Sequence, residues 1–314
     1  MKLPVEPAWR LAERPAEQRW LVTGLWSEQA VGIVGGEPKC CKSFLALDLA
    51  VAVASGTPCL RHFAVPHPGR VLLYAAEDAL HIVRQRLHGI CVAAGCRLAD
   101  LDLQVITAPT LRLDLPADRA ALESTIAELR PRLLILDPFV RLHRIDENAS
   151  GEVAPLLAHL RELQRRYALS VLVVHHAKKS AGALRAGQAL RGSSEFHAWG
   201  DSNLYLRRSP QALTLTIEHR AAPSPPNITL ELQAHGEALA LHLAQTVPAP
   251  APAFSSLDQR IAAVLKDAAR PLTSKELRAH CHVRNTTLYE RLVAMTNAGT
   301  LLRNAEGYQL TGQY

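Results

Sequence analysis

The sequence has no long hydrophobic run. Its opening, MKLPVEPAWRLAERPAEQRW, contains nothing that could act as a signal peptide or a membrane span, so the expectation is a cytoplasmic protein with no membrane partner. A cysteine framework is also lacking. Six cysteines in 314 residues, two of them adjacent (Cys40 and Cys41) and the others scattered, show neither disulfide density nor paired metal-ligand spacing. They read as reduced thiols. The run His280-Cys281-His282 has no second ligand pair near it, which argues against zinc. There is no internal repeat. Strong charge of either sign is missing too: the net charge of +6 is compatible with nucleic acid without requiring it.

The composition present, 48% hydrophobic and 20% charged, is that of a soluble globular chain. Its length suits one large and one small domain, each able to bury a core. An uncharged Pro/Ala stretch, TVPAPAPAFSS, marks a semi-extended linker at 246–256. The organisation read from the sequence is an N-terminal arm (1–19), a large domain (20–245), the linker, and a small, mostly helical domain (257–314).

In the large domain, apolar runs at Ala30–Val34, Arg70–Ala75, Leu103–Thr107, Arg132–Leu136, Ser170–Val174 and Leu204–Arg207 suit buried parallel strands. Helical patterns fall between most of them, at Ser43–Ser55, Ala79–Gly89, Asp118–Arg130 and Glu152–Tyr167. That alternation predicts an α/β fold with a mostly parallel central sheet and crossover helices. Two later segments, ALTLTIEHR and NITLELQ, alternate with period two and predict antiparallel strands added at one edge.

The stretch GIVGGEPKCCKSFLALDLA, Gly32 to Ala50, carries the strongest chemical signal. Its register fits a phosphate loop, G-x-x-x-x-G-K-[ST], between a strand and a helix. Gly35, Gly36, Glu37, Pro38, Lys39, Cys40, Cys41, Lys42, Ser43 and Phe44 form the candidate nucleotide site. Backbone amides would wrap the phosphates at the positive end of the helix, Lys42 would reach the β- and γ-phosphates, and the Ser43 hydroxyl would hold Mg2+. Cys41 departs from the pattern, because glycine is usual where φ is positive. A left-handed cysteine costs roughly 1 kcal/mol, small beside the binding of ATP with its metal.

Further parts of such a site follow. Asp137 ends the run RLLILDP, where a carboxylate can position the metal opposite Ser43; helix capping is the plainer reading. Glu77 follows RVLLYAA and is the candidate to deprotonate attacking water, with Asp78 more plausibly a cap. His175 and His176 end LSVLVVHH. Neighbours on a strand point to opposite faces, which argues against a metal pair. A histidine at such a tip can sense a γ-phosphate.

Taken together, GGEPKCCKS, LLYAAED, LLILDPFVRLHRIDENASG, VLVVHHAKK and ALRGSSEFHAWGDSNLYLRR resemble the RecA-type ATPases of the plasmid replicative helicase RepA group. The likeness covers roughly Trp20 to Leu239 and extends more distantly to the ring-forming DnaB helicases. It implies a RecA-like P-loop domain that binds ATP and Mg2+, acts on DNA and forms a homo-oligomer, a hexamer. It also implies catalytic roles for Lys42, Glu77 and His176 (the last as γ-phosphate sensor) and metal positioning by Ser43 and Asp137. The Gly/Ser-rich basic segment after the histidines would face single-stranded DNA through Lys178, Lys179, Arg185 and Arg191, tracking phosphates without reading bases. Arg220 matches an arginine that reaches the neighbouring subunit's site, although Glu218 stands where that family has Lys.

The last segment predicts a helix at about Leu257–Asp267, and a second opened by a Thr273/Glu276 capping box. A third helix ends at Gly299, and a hairpin with a Glu-Gly turn follows. This plan resembles a winged helix, whose third helix enters a major groove. Arg284, Asn285, Thr287 and Arg291 are its candidate duplex contacts, while such modules also dock proteins. The rival to an ATP-driven DNA helicase or translocase is a DNA-binding adaptor with an impaired phosphate loop, which Cys41 and the missing Lys favour. A small-molecule kinase would need a lid or substrate motif, and the sequence has none.

Overall fold

Alternation along each strand sets up two cores. Val71 and Leu73 join one, Leu72 and Tyr74 the other; Leu133 and Ile135 oppose Leu134 and Leu136; Leu172 and Val174 oppose Val171 and Val173. Continuous apolar strands are what a sheet covered on both faces requires.

The computed structural model describes residues 3–11, 15, 19–176, 195–209, 212–236, 238–244, 256–268, 270–281, 283, 285–304 and 306–311. It divides into two units, Met1–Ala244 and Gln245–Tyr314. In the first, the chain runs β1 (Trp20–Val22), β2 (Trp26–Ser27), β3 (Val31–Gly36), α1 (Lys42–Ser55), β4 (Val71–Ala75) and α2 (Leu80–Ala94). It continues through β5 (Leu103–Val105), α3 (Pro116–Leu129), β6 (Leu133–Asp137), α4 (Ser150–Tyr167), β7 (Ser170–His176) and α5 (Glu195–Trp199). Four strands close it: β8 (Ser202–Arg208), β9 (Leu213–His219), β10 (Ile228–His235) and β11 (Ala238–Leu243).

The main sheet has the order β11-β10-β9-β8-β3-β7-β6-β4-β5. From β8 to β5 every pair is parallel, and from β8 to β11 every pair is antiparallel. Helices α1 and α2 pack in one core, α3, α4 and α5 in the other. Helix α1 is apolar nearly all round and buried from Leu45 to Val53, as a helix enclosed on several sides must be. Each of its buried leucines and valines contributes about 1.5–3 kcal/mol.

The α/β class, the mostly parallel sheet and the antiparallel edge agree with the sequence reading. The ends differ. Strand β3 runs to Gly36 and β7 to His176, and α2 continues to Ala94, because sheet pairing and helix packing extend elements past their apolar stretches. The β1–β2 hairpin has no sequence signal, since two or three residues per strand show no period; tertiary burial of Leu21, Leu25 and Trp26 makes it. Strand β11, six residues whose small alanines give little hydrophobic contrast, also escapes the sequence reading. Within the N-terminal arm, Ala8–Arg10 form one 3-10 turn and Leu3, Val5 and Trp9 are exposed. The linker at 246–255 lies outside the described residues.

The second unit has α6 (Ser256–Ala268), α7 (Ser274–Cys281), α8 (Asn285–Asn297) and a hairpin, β12 (Leu301–Asn304) with β13 (Gly307–Leu310). Ile261, Leu277, Leu288 and Leu292 centre its own core. The capping box is formed: Thr273 N–H donates to Glu276 Oε2 (2.8 Å) and Glu276 N–H to Thr273 Oγ1 (3.3 Å). Asn304 Oδ1 accepts both Glu306 and Gly307 N–H and closes the hairpin turn.

Candidate nucleotide site

Parallel strands deliver their carboxyl ends to one side of the sheet. Gly36 pairs level with His176 across β3 and β7, and Ala75 level with Asp137 across β4 and β6. A cleft of about 300 Å³ opens there, lined by 39–44 of the loop, Ala75, Glu77, Asp78, Arg86, Asp137, Val174 and His176.

The loop is shaped by backbone. Gly36 has φ +155°, and a Cβ on it would lie 2.3 Å from the Leu206 carbonyl oxygen and 2.6 Å from Cys40 Sγ, so only glycine fits. Lys39 (φ +64°) and Cys41 (φ +66°, ψ 25°) are left-handed, which converges successive amides on a common centre. Cys41 thus takes the conformation glycine would, and α1 starts at the next residue. The helix has no side-chain cap and no acidic residue in its first turn, so its N–H groups face the cleft as an anion site. Lys42 is 5% exposed and its Nζ donates to the Glu37 carbonyl (2.8 Å), which aims the ammonium across the loop. Cys40 is buried behind the loop, and burial raises its thiol pKa.

Asp137 is the last residue of β6, buried and hydrogen-bonded by Ser43. Burial, opposed by the Ser43 hydrogen bond and reinforced by the Asp78 charge, raises its pKa to about 6 from 3.8. Its hydroxyl neighbour and carboxylate are the hard oxygen donors that Mg2+ takes, so the pair fits that ion. The folded state binds more protons than the unfolded state between about pH 4 and 6. The group therefore stabilises the fold in its protonated form, and stability falls as pH rises through 6. Asp137→Asn in magnesium-free buffer is expected to be more stable than wild type by about 1–3 kcal/mol at pH 7.5, the gap closing near pH 4. Denaturant titrations at both pH values check this; an equal or lower stability at pH 7.5 refutes it.

Glu77 stands at the cleft's rim, about two-fifths exposed, and accepts from Arg141 Nε at 3.0 Å. Asp78 does not cap α2: it pairs with Arg86, whose guanidinium also sits 5.2 Å above the Phe44 ring. His176 faces the cleft while His175 turns the other way, buried and stacked on Phe196 with ring centroids 4.1 Å apart. Arg86 lies outside the quoted motifs and Arg141 lies within one, but the sequence gives neither a role at the site. Only the fold brings an α2 residue and a 3-10 turn (Phe139–Arg141) to the same rim.

Arg220 follows β9 at the end of the sheet opposite the cleft, level with the amino-terminal start of β8, where it pairs with Asp201 (3.5 Å) and the Ala198 carbonyl. It does not join the cleft of its own chain. Lys178, Lys179, Arg185, Arg191 and Arg284 lie outside the described residues, as does the side chain of Asn285. Thr287 is exposed on α8. Arg291 is instead engaged by buried Asp258 of α6 through two hydrogen bonds, which commits it to holding the small unit together. Its spacing on α8 could not reveal a partner 33 residues upstream.

Two solved structures share the sheet and helix arrangement. One, described as an ATPase domain, matches with TM-score 0.52 and 13% identity over 65% of this chain and 82% of that one. The other, a DnaB-like replicative helicase described with its interactions with primase, matches with TM-score 0.53 and 12% identity over 68% of this chain and 59% of that one. At these identities the likeness is one of fold: an α/β domain with a large, mostly parallel central sheet whose loop after β3 has the geometry of a phosphate loop. The chain belongs to the AAA domain family, whose model matches residues 1–182. Among the described residues no helix is long and apolar enough to cross a membrane.

Proposed function

We propose that the protein is a ring-forming ATPase acting on DNA, a helicase or translocase of the RepA type from a plasmid or mobile element. The observation that carries this reading is the convergence of Lys42, Ser43, Asp137, Glu77 and His176 on one cleft. Loop amides and Lys42 bind the triphosphate. Ser43 and Asp137 hold Mg2+, which when bound neutralises charge on the β- and γ-phosphates. Glu77, released from Arg141, takes the proton of the attacking water. His176 reads the γ-phosphate at the tip of β7, immediately before the basic segment assigned to single-stranded DNA. Arg220, at the end of the sheet opposite its own cleft, suits a subunit that completes its neighbour's site, in a hexamer. The small unit's three helices and hairpin suit a winged helix that contacts duplex DNA through the exposed face of α8.

The test is ATP turnover by the purified full chain with and without single-stranded DNA. Stimulation of about tenfold or more is expected for a motor whose chemistry is coupled to strand binding. Turnover absent under both conditions, with DNA still bound, would overturn the motor and leave an adaptor.

A further inference from the structure

Cys41 takes a glycine's conformation, so its side chain is the one addition this loop makes to the usual pattern. The thiol does not face open solvent: Arg208 Nη2 donates to Cys41 Sγ at 3.2 Å. Arg208 is the last residue of β8, the strand beside β3, and Gly36 is level with Leu206. Leu204 and Leu206 face the core that contains α1. Two residues further on the same face, Arg208 therefore overhangs the junction of loop and helix. Its side chain is exposed, and among the described residues its side-chain partner is the Cys41 thiol and not a carboxylate.

We propose that Arg208 is a phosphate ligand of the bound nucleotide, supplied from β8, and that Cys41 is the residue that positions it. The inference rests on the nucleotide reading of the cleft. A thiol is a weak acceptor. A phosphate oxygen forms a shorter, charge-assisted bond to guanidinium and displaces it readily. The thiol thus keeps the guanidinium at the loop without competing for it, and Cys41 adds a cation to the site through its neighbour. On this view the cysteine is a working part of the loop rather than a mark of decay.

The experiment measures affinity for a fluorescent ATP analogue in the full chain, with Mg2+, for wild type, Arg208→Gln, Arg208→Lys, Cys41→Ala, the Cys41→Ala/Arg208→Gln double variant and Lys42→Ala. Arg208→Gln is expected to weaken binding about tenfold. It should raise KM far more than it lowers kcat and leave the melting temperature without nucleotide unmoved. Arg208→Lys should recover part of the affinity, because a charge remains but the fork is lost. Alanine keeps the left-handed strain of Cys41 and removes only the thiol. Its effect should therefore appear beside Arg208 and vanish in the Arg208→Gln background. Unchanged affinity in Arg208→Gln, with binding still lost in Lys42→Ala, overturns the role of Arg208 and spares the nucleotide site. Unchanged affinity in Lys42→Ala overturns the nucleotide reading itself. An equal effect of Cys41→Ala in both backgrounds overturns the positioning role of the thiol.

Discussion

Lys42→Ala is expected to abolish nucleotide turnover, lowering kcat by about 10³-fold, with the fold intact. The ammonium is buried at the cleft floor with the Glu37 carbonyl as its hydrogen-bond acceptor. A charge so placed, in a low dielectric with no carboxylate paired to it among the described residues, acts strongly on any anion that enters. A factor of 10³ corresponds to about 4 kcal/mol of transition-state stabilisation, within reach of one desolvated cation. Alanine is a good first-turn helix residue, so α1 should still start after Cys41. Circular dichroism and a melting temperature no lower than wild type verify the fold, and steady-state phosphate release measures the loss. Turnover within threefold of wild type would show that this loop is not the catalytic one.

The second large effect separates binding from chemistry. Glu77→Gln should cut turnover by about 10²–10⁴-fold while affinity for ATP stays within a few-fold. Glutamine keeps the shape and can hold a water but cannot take its proton. Glu77 lies on the rim rather than the floor, ion-paired to Arg141 at 3.0 Å, so its removal leaves no buried charge unpaired and little stability is at stake. The measurement is a single-turnover rate beside an equilibrium titration with the same analogue. A variant that lost affinity and rate together would make Glu77 a binding residue; one that kept its rate would move the base elsewhere in the cleft, with Asp78 next to be tested.

The pattern of G-x-x-x-x-G-K-[ST] between an apolar strand and an apolar helix is legible because every element is local: a strand end, a turn and a helix start follow one another without a break in the chain. The carboxylates and the histidine were legible as positions, each the residue at or just past the end of a buried run. Their meeting in one cleft depends on the strand order β3-β7-β6-β4, which places ends from distant parts of the chain side by side. The resemblance to a known group supplied the roles that spacing alone left open.

Other features were out of reach. Arg86, Arg141 and Arg208 are ordinary arginines in sequence, on a helix, a turn and a strand end, and only packing brings each to the cleft rim or the loop. Arg291 reads in sequence as a free polar residue of a groove-reading helix, yet a buried aspartate on α6 holds it. Charge pairs between elements far apart have no period and no motif, so nothing in the sequence marks them.

By itself the sequence determined the α/β class, the phosphate loop with its glycines, Lys42 and Ser43, and the acidic and histidine residues at strand ends, because these follow from local backbone chemistry and side-chain periodicity. The tertiary structure decided the rest: which strand ends adjoin, that burial raises the pKa of Asp137, that Arg220 lies away from its own cleft, and that Cys41 meets Arg208. Those outcomes depend on which surfaces the sheet order brings together, and that is settled only when the whole core packs.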